Sequence, residues 1–128
     1  MRTESEPRGR RVVAIAWTLA AGLVLLAPLP PGLAELAGET PALPLDKLAH
    51  LALFALVTRS WLRAAAPARG RRALAVALAA VAYGALLELL QPLAAERSTE
   101  LLDVAANAFG TALAWVFQRR KSGGPPEL

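Results

Sequence analysis

The apolar run from Ala73 to Leu90 is the feature that most constrains this chain. Within it, only Tyr83 and Glu88 carry polar groups. At about 1.5 Å per residue, a helix of this length crosses most of the roughly 30 Å hydrocarbon core of a bilayer. A helix that is apolar on all its sides must be surrounded by lipid or by other helices. The run therefore predicts a membrane protein.

Three further segments have the same character, and hydrophobic residues make up 55% of the whole chain. The shortest of these segments is interrupted by His50 and by Arg59, whose long side chain can reach the interface from near the end of its helix. Pro92 is predicted to end the third helix. We therefore predict an all-α fold, a four-helix transmembrane bundle with spans at 12–29, 48–62, 73–90 and 101–117.

Basic residues occur in three clusters, which are the N-terminal segment 1–11, the loop from Arg63 to Arg72 and the tail 118–128. The two remaining loops are not basic, because their few basic residues are accompanied by acidic ones. Because basic loops stay in the cytoplasm, we predict a multi-pass protein of the bacterial inner membrane with both termini inside, N-in and C-in. The first apolar run is longer than the roughly 7–15 residues of a signal-peptide core, which favours a retained helix over a cleaved signal.

Several classes of function are excluded or disfavoured by composition. Cysteine is absent, which excludes disulfides, thiolate metal sites and cysteine nucleophiles. The arginine clusters lack interleaved aromatic residues, so we predict no nucleic-acid partner. One histidine with several carboxylates does not match the usual zinc ligand sets, and there is no glycine-rich phosphate loop. The sequence by itself therefore predicts no metal and no cofactor.

Polar residues on three predicted spans lie at nearly one depth. From the helix rise, Glu88 and His50 each lie about 6 Å beneath the outer face, and Asp103 and Asn107 lie about 4–5 Å and 10 Å beneath it. An ionisable group within a span costs about 2.5–3.5 kcal/mol on insertion scales, which disfavours exposure to lipid. These side chains are therefore predicted to face one another, with His50, Tyr83 or Lys47 as the partner of Glu88.

Helical spacing supports this arrangement. Residues three or four positions apart share a helix face. Gly84 and Gly110, each about one turn from a polar residue, are predicted to let the helices approach closely. The pairs that share a face are Asp46 with His50, Glu88 with Gln91, and Asp103 with Asn107.

Four polar motifs follow one another between Asp46 and Gly110. They are Asp46-Lys47-Leu48-Ala49-His50 followed by Phe54, Tyr83-Gly84-x-x-x-Glu88-x-x-Gln91, Arg97, and Leu102-Asp103-x-x-x-Asn107-x-x-Gly110. Together they resemble the VanZ-like family of small bacterial multi-pass membrane proteins. The name-giving member of that family is associated with low-level resistance to the antibiotic teicoplanin, and most members lack an assigned activity. The resemblance implies a role in the cell envelope without specifying a reaction.

We predict a polar ligand site near the extracytoplasmic face, for a lipid-linked cell-wall intermediate or an amphiphilic antibiotic, with Lys47 and Arg97 binding its anionic head group. One alternative is a membrane enzyme acting on a lipid-linked phosphate, with His50, Glu88 and Asp103 as candidate catalytic residues. Another is a structural subunit, and assembly into a homo-oligomer is open. The predicted ligand-binding residues are Asp46, Lys47, His50, Glu88, Gln91, Arg97, Asp103 and Asn107.

Several of these residues also have a purely structural interpretation. Asp46 is a candidate N-cap of the second helix, and His50 is a candidate packing residue. Asp103 and Asn107 are suited to hydrogen bonds between helices. Arg97 is a candidate partner of the acidic residues that flank it in the outer turn.

Overall fold

The computed structural model describes residues 5–28, 30–32, 35, 45–95 and 100–123. Within these residues no strand occurs, and four long helices account for most of the chain. The prediction of an all-α, four-helix fold is therefore confirmed. The helices are α1 (Ser5–Leu26), α2 (Leu45–Ala64), α3 (Gly70–Ala95) and α4 (Leu101–Ser122).

The helices differ in how well they suit a bilayer. Three of them, α1, α3 and α4, are long and apolar enough to cross a membrane. By contrast, α2 carries four charged residues among its 20. It also contacts each of the other three helices, so neighbouring protein covers much of its surface. The charged residues of α2 are Asp46, Lys47, Arg59 and Arg63.

Contacts between the helices establish their directions. Lys47 near the start of α2 contacts Asp103 near the start of α4, and Thr58 bonds Thr111 farther along, so these two helices are parallel. Helix α1 is antiparallel to α2 and parallel to α3. The contacts that show this are Thr18 with Trp61 and Tyr83, and Leu25 with Phe54 and Leu87.

Because of these directions, most of the described basic residues lie at one end of the bundle. The start of α1, the end of α2, the start of α3 and the end of α4 all lie there. We call it the basic end, and the other end, with Asp46, Lys47 and Glu100, the opposite end. The residues of the basic end are Arg8, Arg10, Arg11, Arg63, Arg69, Arg71, Arg72, Arg119, Arg120 and Lys121.

The bundle exposes large apolar side chains and buries several polar ones beside its apolar core. Leu23, Leu89 and Phe117 are exposed on α1, α3 and α4 respectively, whereas His50 and Glu88 are buried. Large exposed apolar surfaces mark contact with a membrane or a partner. Together with the lengths of the three apolar helices, this inverted pattern identifies a membrane protein.

Glycines bring the helices together as the sequence predicts. A Cβ atom placed on Gly110 of α4 would overlap with the carbonyl oxygen of Leu51 in α2. A Cβ on Gly84 of α3 would lie 3.0 Å from Asn107 Nδ2 and 3.0 Å from Phe54 Cε1. Both glycines therefore permit close approach, and this prediction is confirmed.

Helix α3 continues through Pro92 and ends at Ala95. The prediction that Pro92 ends the helix is therefore wrong. A proline in a helix removes one hydrogen bond, here the one to the carbonyl of Glu88 four residues earlier. Since only one turn follows, the last turn can form despite this loss. Residues 96–99 of the predicted polar turn lie outside the described residues.

Candidate functional site

Polar side chains from α2, α3 and the start of α4 meet at the opposite end of the bundle. Four of them, His50, Glu88, Asp103 and Asn107, are at most 3% exposed. The proximity predicted for these four is present in the structure, while their role in binding stays a prediction. We call the whole group the polar cluster, and its members are Asp46, Lys47, His50, Glu88, Glu100, Asp103 and Asn107.

His50 is at the centre of the polar cluster. Its Nδ1 atom lies 2.8 Å from the amide oxygen of Asn107 and 3.3 Å from Glu88 Oε1. An amide oxygen only accepts hydrogen bonds, so the Nδ1–H donates to Asn107. This bond fixes the tautomer and leaves the lone pair of the neutral imidazole on Nε2.

The Nε2 side of the ring faces two carboxylates. Asp46 Oδ1 lies 3.9 Å and Asp103 Oδ2 lies 3.8 Å from His50 Nε2. Both separations exceed a hydrogen-bond length, and among the described residues the buried Nε2 atom has no hydrogen-bond partner. The ring therefore has a hydrogen-bonded edge, where Nδ1 lies beside Glu88 and Asn107, and an edge without a hydrogen bond, where Nε2 lies beside Asp46 and Asp103.

Lys47 links two carboxylates of unequal exposure. Its ammonium donates to Glu100 Oε2 at 2.7 Å and to Asp103 Oδ1 at 2.9 Å. The side chain of Glu100 is 49% exposed, whereas that of Asp103 is 4% exposed. The hydrogen bonds to Glu100 and then to Asp103 raise the pKa of Lys47, which precedes the predicted span, above its ordinary value. Lys47 is therefore a charged group at the end of the bundle.

No family model, curated protein or solved structure matches this chain. The atoms of the polar cluster themselves indicate which chemistry it can perform. An imidazole between carboxylates can transfer a proton or bind a cation, and an ammonium group can bind an anion.

Two predicted partners of Glu88 contact other groups. Tyr83, one candidate, donates its hydroxyl to the carbonyl oxygen of Thr18 at 2.7 Å. Lys47, another, bonds Glu100 and Asp103, whereas His50 does lie beside Glu88 as predicted.

Two predicted ligand-binding residues lie outside the polar cluster. Gln91 is buried, and its Nε2 donates to the carbonyl oxygen of Leu25 at 3.1 Å, so it joins α3 to α1. Arg97 lies outside the described residues. Any contribution of Arg97 to anion binding therefore stays a prediction.

Sequence reasoning missed the hydroxyl groups that join the helices at mid-depth. Thr58 Oγ1 donates to Thr111 Oγ1 at 3.2 Å between α2 and α4. Trp61 Nε1 donates to Thr18 Oγ1 at 2.8 Å between α2 and α1. A single threonine within an apolar run does not identify the residue that it bonds. Two threonines at equal depth on parallel helices indicate a hydrogen-bonded pair.

Two cavities lie toward the basic end, away from the polar cluster. Their volumes are about 640 and 620 Å³. Arg10, Arg59 and Arg63 line both, together with Leu56. Arg59 is exposed there, and its reach toward the interface stays a prediction.

Proposed function

We propose that the chain is a VanZ-like multi-pass protein of the bacterial cytoplasmic membrane, with four transmembrane helices and both termini in the cytoplasm. The clustering of arginines at the basic end supports this orientation, because basic segments remain on the cytoplasmic side. The 20 residues of α2 correspond to about 30 Å of helix, which is enough for a fourth crossing among its neighbours.

The absence of native cysteine allows a direct test of this topology by labelling. We expect the introduced cysteine of the Glu35→Cys variant to react with a membrane-impermeant maleimide in intact cells. A cysteine in Gly123→Cys should react only after the membrane is permeabilised. Both positions are exposed in the structure. The reverse labelling pattern would refute the proposed orientation.

We propose further that the polar cluster binds the head group of an outer-leaflet amphiphile, a lipid-linked cell-wall intermediate or an amphiphilic antibiotic. The observation that carries this proposal is the pair of unequal bonds made by Lys47. Buried Asp103 holds the ammonium in place, and the exposed Glu100 carboxylate occupies a position that a head-group anion can take. Charge-assisted bonds of this kind are about twice as strong as neutral ones.

Thermal stability of the purified protein tests this proposal with polyprenyl phosphates, lipid-linked cell-wall precursors and lipoglycopeptides as probes. A ligand at about one hundred times its Kd stabilises the folded state by about 2.7 kcal/mol. We expect Lys47→Gln to lose the stabilisation and Glu100→Gln, which removes the competing carboxylate, to increase it. Each variant is compared with itself in the absence of probe. No stabilisation of the wild type by any probe would refute ligand binding.

A membrane enzyme is a second candidate, favoured by the 3.3 Å contact between His50 Nδ1 and Glu88 Oε1. In that case Asn107 and Glu88 orient the ring, and Nε2 takes a proton from the water that attacks a lipid-linked phosphate ester, whose alcohol then leaves with a proton. The measurement is release of phosphate or alcohol by the purified protein across a range of pH. Binding of the same lipid without any turnover would exclude this candidate.

A structural role is a third candidate, favoured by the buried bond between His50 and Asn107 at 2.8 Å. Interhelical polar bonds in membranes contribute about 0.6–2 kcal/mol. If this is the only role, Asn107→Ala lowers stability by that amount while no probe binds the wild type. Saturable binding of any probe that depends on Lys47 would argue against it.

A further inference from the structure

The described polar cluster contains more negative than positive groups. Three carboxyl groups, those of Asp46, Glu100 and Asp103, lie within 4.0 Å of the single ammonium of Lys47, and the carboxyl group of Glu88 lies beside His50. Lys47 already bonds two of them. A head group that carries phosphate would therefore approach a site with excess negative charge. A further cation in the site would offset this repulsion.

The orientation of His50 indicates where such a cation would bind. Because Nδ1 donates to Asn107, the neutral ring points the lone pair of Nε2 between Asp46 Oδ1 and Asp103 Oδ2. This atom is fully buried and has no hydrogen-bond partner within the described part of the chain. A lone pair between two carboxylate oxygens is unfavourable unless a positive charge lies among them.

We propose that Asp46, His50 and Asp103 bind a divalent metal cation of the Mn²⁺ type, in contrast to the sequence-based prediction of no metal. The three ligand atoms all lie within 4.8 Å of one another. An ion about 2.1 Å from each atom would place those atoms about 3.0–3.5 Å apart. The distances of 3.8 and 3.9 Å from His50 Nε2 need to shorten by less than 1 Å, and the separation of the two carboxylate oxygens, at most 4.8 Å, needs to shorten by up to about 1.8 Å. The side chain of Asp46, 27% exposed, has room to move.

Neighbouring residues provide the support that a metal ligand needs. A metal-bound histidine usually donates its other ring N–H to an oxygen acceptor, as His50 does to Asn107. Asp103 binds Lys47 through Oδ1, which leaves Oδ2 directed toward His50. Each ligand is thus oriented by a second contact or by its place at the start of a helix.

The ligand set indicates the class of metal and of bound group. Two carboxylates favour hard cations such as Mn²⁺, and imidazole favours transition metals over Mg²⁺ and Ca²⁺. Three protein ligands leave positions for water or for phosphate oxygens. The cation and Lys47 would together bind a phosphate of the lipid head group, and this last step alone rests on the function proposed above.

Binding of Mn²⁺ to the purified, chelator-treated protein tests the metal site without any lipid. We expect one Mn²⁺ per chain, measured by loss of the free Mn²⁺ electron paramagnetic resonance signal. Asp46→Asn and His50→Gln should each lower the affinity by at least about 100-fold, since even supporting residues contribute 10–100-fold. The control Glu35→Gln removes an exposed carboxylate outside the polar cluster and should bind as the wild type does.

Two results would overturn the metal site, namely no Mn²⁺ binding by the wild type or undiminished binding by Asp46→Asn. Circular dichroism shows whether each variant retains its helices, and Asp46 at the start of α2 is the mildest position to change.

A second arm repeats the thermal measurement with polyprenyl phosphate, with and without Mn²⁺. Stabilisation by the lipid only in the presence of Mn²⁺ supports phosphate binding through the metal. Equal stabilisation with and without Mn²⁺ refutes it. Mn²⁺ binding with no effect of any lipid would refute the proposed function and leave the metal site intact.

Discussion

Replacing Gly110 with alanine is expected to lower the free energy of unfolding by about 3 kcal/mol or more, at the upper end of overpacking effects. The new methyl group would overlap with the carbonyl oxygen of Leu51 and press on the backbone nitrogen of Ala55. A flexible side chain could rotate away, but backbone atoms of α2 can move only if the whole helix moves. Titration with a denaturing detergent, followed by circular dichroism, measures the change.

Gly9→Ala is the matched control for this substitution. Gly9 also lies within a helix, α1, and a Cβ there meets nothing within 4 Å. Alanine has the higher helix propensity, so this variant should be as stable as the wild type or slightly more stable. Equal stability of the two variants would show that the contact between α2 and α4 at Gly110 is not close.

Replacing Lys47 with methionine is expected to lower the free energy of unfolding by about 2 kcal/mol, because a buried carboxylate loses a charged hydrogen-bond donor. The ammonium donates a hydrogen bond to Asp103, whose side chain is only 4% exposed. Its loss leaves a buried carboxylate without that compensation. The same detergent titration measures the effect.

A double variant separates the lost attraction from general damage. Lys47→Met combined with Asp103→Asn should recover at least about half of the lost stability, because the buried charge is removed together with its partner. Glu100→Gln breaks the bond of 2.7 Å to the same ammonium but at an exposed carboxylate, so it should cost less than about 1 kcal/mol. A double variant no more stable than Lys47→Met would contradict a specific interaction with Asp103.

The broad organisation of the bundle could be predicted because its physical causes are local. The length of an apolar run and the position of arginine clusters need no knowledge of tertiary structure. The meeting of His50, Glu88, Asp103 and Asn107 followed from the cost of exposing such groups to lipid. The glycine contacts at Gly84 likewise followed from its position beside these groups.

The choice of individual partners could not be predicted because several partners satisfy the same chemistry. Gln91 shares a face with Glu88, yet it bonds the main-chain carbonyl of Leu25, and a backbone carbonyl carries no sequence signature. In the sequence, Glu100 is one of two acidic candidates for pairing with Arg97, but the parallel starts of α2 and α4 bring it to Lys47. Such pairings depend on helix rotation, which the apolar pattern leaves undetermined.

The central position of α2 has a consequence for the order in which the protein is made. Among the described long helices, α2 alone is not apolar enough to cross a membrane by its own composition, and its closest packing, where Leu51 meets Gly110, is with the helix synthesised last. A nascent chain that ends before α4 leaves Lys47 and His50 of α2 without Asp103 and Asn107. If α2 crosses the membrane as proposed above, we expect its integration to be completed late, together with that of α4, and the intermediate that lacks α4 to be the form exposed to quality-control proteases.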